Sequence, residues 1–333
     1  MLSSIRNAAE ESLKAWPDAK AVVLFGSRAR GDHSPLSDWD IAFITSGGER
    51  IGPVPTGLPI HGLPCKVECL ALPEAVVRRK ALAIGHVVRG IIRDGKLLAG
   101  SWNRPNSRGA VTMRPDEYAR LVRNAITFTG NAVARAVEIG ETGNCWDDIN
   151  LCNHFVAESA DAAEHLAKAK LGRHGIEYSR THDLGQLASQ ARRAGFSDLA
   201  RDIDPINGLA GKQHMAAYDG VTVEGCQHAV RRLRAEIILL GEEIRSARSV
   251  PSFAETANEL ARNATNMARK QVPALRQALS REVKPSRLPL DQDPVAAIVQ
   301  TRTTIVDALG ELPICLAPEK IAANRSTNER QWG

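Results

Sequence analysis

The sequence predicts an α+β protein with a small strand-bearing domain first, an α-helical bundle second and a helical C-terminal extension last. Three observations point there. Short continuous apolar runs, typical of buried strands, fall within the first hundred residues. A stretch rich in Gly, Pro, Ser, Asn and Arg, GSWNRPNSRGAVTMRP, then interrupts the pattern at 100–115. Beyond it, apolar residues recur three and four apart. The boundaries expected from this are 1–108, 109–248 and 249–333.

Taken in order, Ser3 to Trp16 repeats Ile5, Ala8, Ala9 and Leu13 at helical spacing, and Pro17 with Asp18 ends it. Lys20 to Phe25 is an apolar run closed by glycine and reads as a buried strand. Asp40 to Ile44 is a second, followed by the turn Gly47-Gly48, and Cys65 to Leu70 alternates as a third. Pro73 opens a helix running to about Ile84. Val87 to Leu98 reads as helix or strand, with a turn at Asp94-Gly95. The helical half offers segments from Pro115 to about Gly140, Trp146 to Gly172, His182 to Ala194 and Thr222 to Ala247. Two more follow, around Phe253 to Val283 and from Pro294 to Leu309, before a polar end at 322–333. Helices of this kind bury their apolar faces most simply in a bundle.

Composition narrows the function classes. The 333 residues are 43% hydrophobic and 24% charged, which is enough to bury a real core. No apolar run approaches the roughly eighteen residues of a membrane span, and the first segment is amphipathic and carries acids, unlike a signal peptide. A cytoplasmic protein with no membrane partner is expected. Six scattered cysteines without a C-x-x-C pair suit reduced thiols. The net charge of +5 permits a polyanionic partner such as RNA, but the basic residues are interspersed with acids.

The chemistry concentrates in Leu24-Phe25-Gly26-Ser27-Arg28-Ala29-Arg30-Gly31 and, after a loop, Asp38-Trp39-Asp40-Ile41. Gly26 has no Cβ, so backbone can approach a phosphate there, and Ser27 adds a hydroxyl beside backbone N–H groups. Asp38 and Asp40, two apart at the entry to a strand, project from one face and can chelate a hard cation, as Mg2+ bridged to a triphosphate requires. Glu68, central in the third strand, is positioned to add a carboxylate that binds metal or takes the proton of an attacking hydroxyl. Arg28 and Arg30 are either phosphate partners or solvent-facing charges, in even balance. Asp32 and His33 read as loop surface.

Gly-Ser, ten residues, then Asp-x-Asp, flanked by apolar strands, resembles the nucleotidyltransferase motif of the polymerase-beta superfamily. The resemblance covers about the first hundred residues and implies a small mixed sheet flanked by helices. It also implies in-line attack of an acceptor hydroxyl on the α-phosphate, with release of pyrophosphate under two-metal catalysis. By that resemblance Gly26 and Ser27 bind phosphates, and Asp38 and Asp40 bind Mg2+. The donor would be ATP or another NTP. The family's third carboxylate is usually Asp, so Glu68 stands in for it by position alone.

A second resemblance lies in the helical half. His154 to Leu171, then Gly175-Ile176-Glu177-Tyr178 and Thr181-His182-Asp183-Leu184, is similar to HEPN domains, helical bundles often encoded beside or fused to minimal nucleotidyltransferases. Thr181 or Asp183 would cap the helix that follows. Many HEPN domains are ribonucleases with Arg, four to six residues, then His on one helix. That spacing is missing here: the nearest histidine, His214, has Asn207 and Gly208 where the arginine should fall. Tyr218 lies near the place where related HEPN toxins carry a tyrosine modified by a partner enzyme, though a buried or interfacial tyrosine is the plainer expectation.

The expectation is therefore a nucleotidyltransferase that moves an NMP, AMP from ATP by preference, to a hydroxyl on protein, RNA or a small molecule. The resemblance suggests a toxin–antitoxin-like setting, with the helical domain available as a homodimer surface. Two alternatives stand beside it: an aminoglycoside-type small-molecule nucleotidyltransferase and a non-catalytic nucleotide- or RNA-binding regulatory module. The first would want an acidic acceptor cleft, and clustered acids beyond Glu68 and Glu74 are not obvious.

Overall fold

The computed structural model describes residues 2–35, 37–106, 111–142, 149–178, 182–203, 222–281 and 289–317. His214 and Tyr218 lie outside them, as does Thr181. The chain divides into two compact units, one of residues 1–114 with 175–177 and one of 115–174 with 178–333.

The first unit is a four-stranded mixed sheet between two helical layers. Helix α1 (Leu2–Ala15) leads into β1 (Ala19–Phe25), the short helix α2 (Gly26–Arg30), β2 (Trp39–Thr45) and β3 (Val67–Pro73). Helices α3 (Glu74–Lys80) and α4 (Val87–Asp94) follow, and β4 (Lys96–Gly100) closes the sheet. The spatial order is β3-β2-β1-β4, with β1 antiparallel to both neighbours and β2 parallel to β3. The long connection between β2 and β3 carries a 3-10 turn at Pro59–Gly62.

The continuous apolar runs follow from this layering, because β1 and β2 are covered on both faces. Val22, Leu24, Trp39, Ile41 and Phe43 pack with Ile5, Ala8 and Ala9 of α1. Ala21, Val23, Ala42 and Ile44 pack with Val76 and Val77 of α3 and Val88, Ile91 and Ile92 of α4. Each fully buried side chain of the larger kind contributes about 1.5–3 kcal/mol. Two expectations are corrected here. The third strand runs three residues further than Leu70, which confines the next helix to Glu74–Lys80. The segment from Val87 is a helix and a strand in succession, with the reversal at Gly95.

Among the described residues, the regular elements of the second unit are all helical. Helices α5 (Pro115–Thr142), α6 (Ile149–Arg173), α7 (Leu184–Arg193) and α8 (Ser197–Ile203) are followed by α9 (Val223–Arg248), α10 (Ala254–Ser280) and α11 (Pro294–Cys315). Asp183 caps α7 by accepting from the N–H groups of Gly185 and Gln186. Asp293 does the same for α11 from Val295 and Ala296, with Pro294 at the first helical position. The last two helices pack in the same body: α10 lies against α5, and α11 against α9. Arg302 of α11, fully buried, donates from Nη1 to the Ala136 carbonyl at 3.1 Å. It fits because a Cβ on Gly140 would stand 1.8 Å from that nitrogen. Among the described residues, no helix is long and apolar enough to cross a membrane.

Candidate active site

The site is built where β1 ends and β2 begins, in the first unit alone. Phe25 of β1 pairs with Asp40 of β2, so the residue after Phe25 sits directly against the Asp40 side chain. That residue is Gly26, with φ +73, a left-handed conformation that disfavours any side chain. A Cβ at this position would lie 1.9 Å from Oδ2 of Asp40. Glycine is thus required twice, once by backbone conformation and once by the carboxylate packed on it.

From Gly26 the chain turns through α2, which Gly31 stops in the left-handed region by donating its N–H to the Ser27 carbonyl at 2.8 Å. The loop to Asp38 is then held by Arg28. Its Nε and Nη2 donate to the Ser37 carbonyl at 2.9 and 2.6 Å, Nε also reaches the Asp38 carbonyl at 3.2 Å, and Nη2 the Pro35 carbonyl at 3.3 Å. The guanidinium lies 4.4 Å from the centre of the Trp39 ring, a cation–π contact. Arg28 therefore positions the backbone that delivers both aspartates. Arg30 pairs with Asp32 at 3.0 Å on the exposed side of the turn. Asp32 and His33 are exposed.

Beyond the loop, Asp38 precedes β2, and Asp40 shares strand parity with Ala42 and Ile44. Glu68 of β3 is Asp40's partner in the parallel register, so the third carboxylate proposed from sequence lies on the adjacent strand at the same level. It is the most exposed of the three residues. Lys66, which no sequence motif singles out, stands between two of the acids. Its Nζ lies 2.6 Å from Oδ2 of Asp38 and 3.4 Å from Oε1 of Glu68. The hydrogen bond to Asp38, then the Asp38 charge and the hydrogen bond to Glu68, raise the Lys66 pKa above the usual ammonium value. Its carbonyl accepts the Trp39 N–H at 3.0 Å, which ties the start of β3 to the start of β2. No local signal marked Lys66: its role follows from the β2–β3 pairing.

The donor set suits a hard divalent cation. Among the described residues, no three His, Cys, Asp or Glu side chains make a complete metal site by themselves. Magnesium ordinarily takes one or two carboxylates plus substrate phosphates, so two aspartates against an open backbone cradle meet that requirement. A nearby thiol, Cys69 of β3, is poorly suited to nucleophilic work because burial pushes its pKa up to about 11. Further along the unit, the guanidiniums of Arg89 and Arg93 both hold Glu177, at 2.9 and 3.0 Å. The hydrogen bond from Arg93, against the opposing effect of burial, lowers the Asp94 pKa.

In the helical unit, two buried carboxylates are paired with cations. Glu164 of α6 is buried and accepts from Lys168 at 2.6 Å and from His182 at 3.0 Å. Arg173 and Glu243 form a second buried pair at 2.6 Å. His182 is thus a partner of Glu164.

This sheet, with its Gly-Ser turn against an Asp-x-Asp strand, defines a class. The model of the family described as Polymerase beta, Nucleotidyltransferase matches residues 7–54, from α1 to just past β2. The HEPN domain model matches residues 151–270, most of α6 through α10. The chain is therefore similar, in order along its length, to a polymerase-beta-type nucleotidyltransferase domain and to a HEPN domain, the fusion its motifs imply. Lys66 and Glu68 lie outside the first matched segment. No curated protein matches the chain.

Proposed function

We propose that this protein transfers a nucleoside monophosphate, AMP from ATP by preference, to a hydroxyl acceptor. The acceptor oxygen forms a bond to the α-phosphorus, the bond from that phosphorus to the bridging oxygen breaks, pyrophosphate leaves, and the hydroxyl proton passes to a carboxylate or water. The observation that carries this reading is the packing of Gly26 on Asp40. Gly26, packed on the Asp40 carboxylate, is a position that admits no side chain, which keeps the approach to a phosphate open.

Asp38 and Asp40 would hold Mg2+, which supplies charge neutralisation at the phosphates when bound. Ser27 and the adjacent backbone would hold phosphate, Arg28 would keep the two aspartates in place, and Arg30 would face the phosphates if it leaves Asp32. Glu68 is the candidate to accept the hydroxyl proton. Lys66 would have to yield Asp38 to the metal, since one carboxylate oxygen at 2.6 Å from an ammonium is already taken. The HEPN-like unit suits a protein acceptor in a toxin–antitoxin-like setting, with a homodimer through that unit as a further part of the proposal.

The same Lys66 contact favours one second reading: a module that binds a nucleotide or RNA without turnover, the ammonium neutralising acids that no metal fills. Incubation of the protein with Mg2+ and α-labelled NTPs, with RNA, protein and aminoglycosides as acceptors, separates the two. Label on an acceptor together with released pyrophosphate, both lost in Asp38→Asn/Asp40→Asn, is the expected result. Binding of nucleotide without pyrophosphate from any acceptor would leave the non-catalytic reading standing.

A further inference from the structure

A cleft of about 540 Å³ opens in the second unit between α10 and the C-terminal end of α11, where α9 also ends. That volume falls among small-molecule sites, which span roughly 300–1,000 Å³. Among the described residues, its lining carries three cations, Arg248, Arg262 and Arg269, and no acid. Arg262, Asn266 and Arg269 stand four and three residues apart on α10, so they form one row along the wall. Thr265 adds a hydroxyl beside them, and Ala261, Pro313 and Leu316 supply an apolar floor.

Other exposed cations of the bundle, Arg234 and Arg276 among them, also enter no ion pair among the described residues; what is particular to Arg248, Arg262 and Arg269 is that they share one cleft. Arg123 is paired with Glu259 of the same helix α10, and Arg281 with Glu141. Arg262 and Arg269 are exposed and enter no ion pair among the described residues. Arg248 spends one nitrogen, Nη1, on the Leu316 carbonyl at 2.6 Å, while its Nε is buried with no hydrogen-bond partner among the described residues. Burial lowers the Arg248 pKa, as expected of a cation short of solvent and of a counter-charge.

We propose that this cleft binds a compact phosphoanion with two or more negative charges, clamped by Arg262 and Arg269, with Arg248 lining the same cleft. Guanidinium forks match phosphate oxygens two at a time, and three of them on one cleft favour an oligophosphate over a single carboxylate. The amide of Asn266 and the hydroxyl of Thr265 are placed to donate between the two outer arginines. The site is built within the second unit and does not depend on nucleotidyl transfer in the first.

The test is calorimetric titration of the full chain carrying Asp38→Asn/Asp40→Asn, with EDTA and physiological salt, so that metal-dependent binding at the first unit is removed. Inorganic tripolyphosphate, ATP and adenosine are the probes. Saturable binding of tripolyphosphate is expected, weakened at least tenfold by Arg262→Ala/Arg269→Ala and unchanged by Arg123→Ala, a paired cation on the same bundle. Both exposed arginines can be removed without disturbing the core, and an unchanged far-UV spectrum and melting curve confirm that. ATP binding more tightly than tripolyphosphate, with adenosine silent, assigns the phosphates to a nucleotide; equal affinities assign them to an inorganic source. The proposal fails if tripolyphosphate does not saturate, if the Arg262/Arg269 variant binds it as well as the parent, or if Arg123→Ala weakens it equally.

Discussion

At the strand ends of the sheet unit, ionic groups face water: the side chains of Lys66, Asp38 and Glu68 are 70, 29 and 62% exposed where they meet. In the helical unit, Arg173 and Glu243 are 5 and 1% exposed at a separation of 2.6 Å. Under the proposed function, the contrast separates the site from the scaffolding of this chain. On that proposal a carboxylate that exchanges a lysine for a metal has to stay hydrated enough for its partner to leave. A carboxylate that joins two helices is most effective where nothing can replace its partner.

The largest effect expected from this contrast is in the scaffolding. Glu243→Gln or Arg173→Met alone should cost about 3–5 kcal/mol in urea unfolding, because each leaves a buried charge without its counter-charge. The double replacement Arg173→Met/Glu243→Leu should recover most of that loss. Equal losses in single and double variants would show that packing, and not charge, holds α6 to α9.

Gly26→Ala comes next. The left-handed φ and the overlap with Asp40 should cost about 1–3 kcal/mol. Binding of Mg2+-nucleotide should fall with it, even where the chain stays folded. Retention of both stability and nucleotide affinity would remove the central observation behind the proposed function.

A smaller effect is pH-dependent. The Glu164 hydrogen bond, partly offset by burial, raises the His182 pKa above 6.5. Burial alone would raise the Glu164 pKa, yet the His182 hydrogen bond and the Lys168 charge leave it below 4.5. The histidine's contribution is therefore complete below its unfolded pKa of about 6.5 and is lost as pH rises through the raised folded value. The glutamate's is present above its unfolded value and lost as pH falls through the lowered one. His182→Ala should accordingly lower the melting temperature most near pH 5.5 and least at pH 8. A difference that is flat with pH would mean His182 is held by packing alone.

Least in stability, but informative for the site, is Lys66→Ala. With Lys66 largely exposed, the melting temperature should barely move, while Mg2+ affinity should rise severalfold because Asp38 and Glu68 lose a competing cation. An unchanged or weaker Mg2+ affinity would mean that Lys66 supports the acids instead of competing for them.

Legibility differed between parts of the chain for reasons of distance along it. The strands β1 and β2 could be read because burial on both faces makes their residues apolar without a break. The long helices could be read because their apolar period extends over many turns. Helix α8 carries no legible signal: Ser197–Ile203 is seven residues, too few to establish a period. The strand β4 was only half read, since Lys96–Gly100 is short and follows α4 across one glycine. The sequence leaves Arg28 between two roles, because its acceptors are backbone carbonyls, which carry no residue-type signal.

By itself the sequence determined the order of an α+β domain and a helical domain, and the positions of Gly26, Ser27, Asp38 and Asp40. Those features are local, set by periodicity, by a missing Cβ and by a two-residue spacing. Only the tertiary structure decided that Glu68 stands level with Asp40, that Lys66 joins Asp38 to Glu68, and that α10 and α11 share the bundle with α5 and α9. Each depends on strand register or helix packing between segments far apart in the chain, where the partner of a charge is chosen by which surfaces meet.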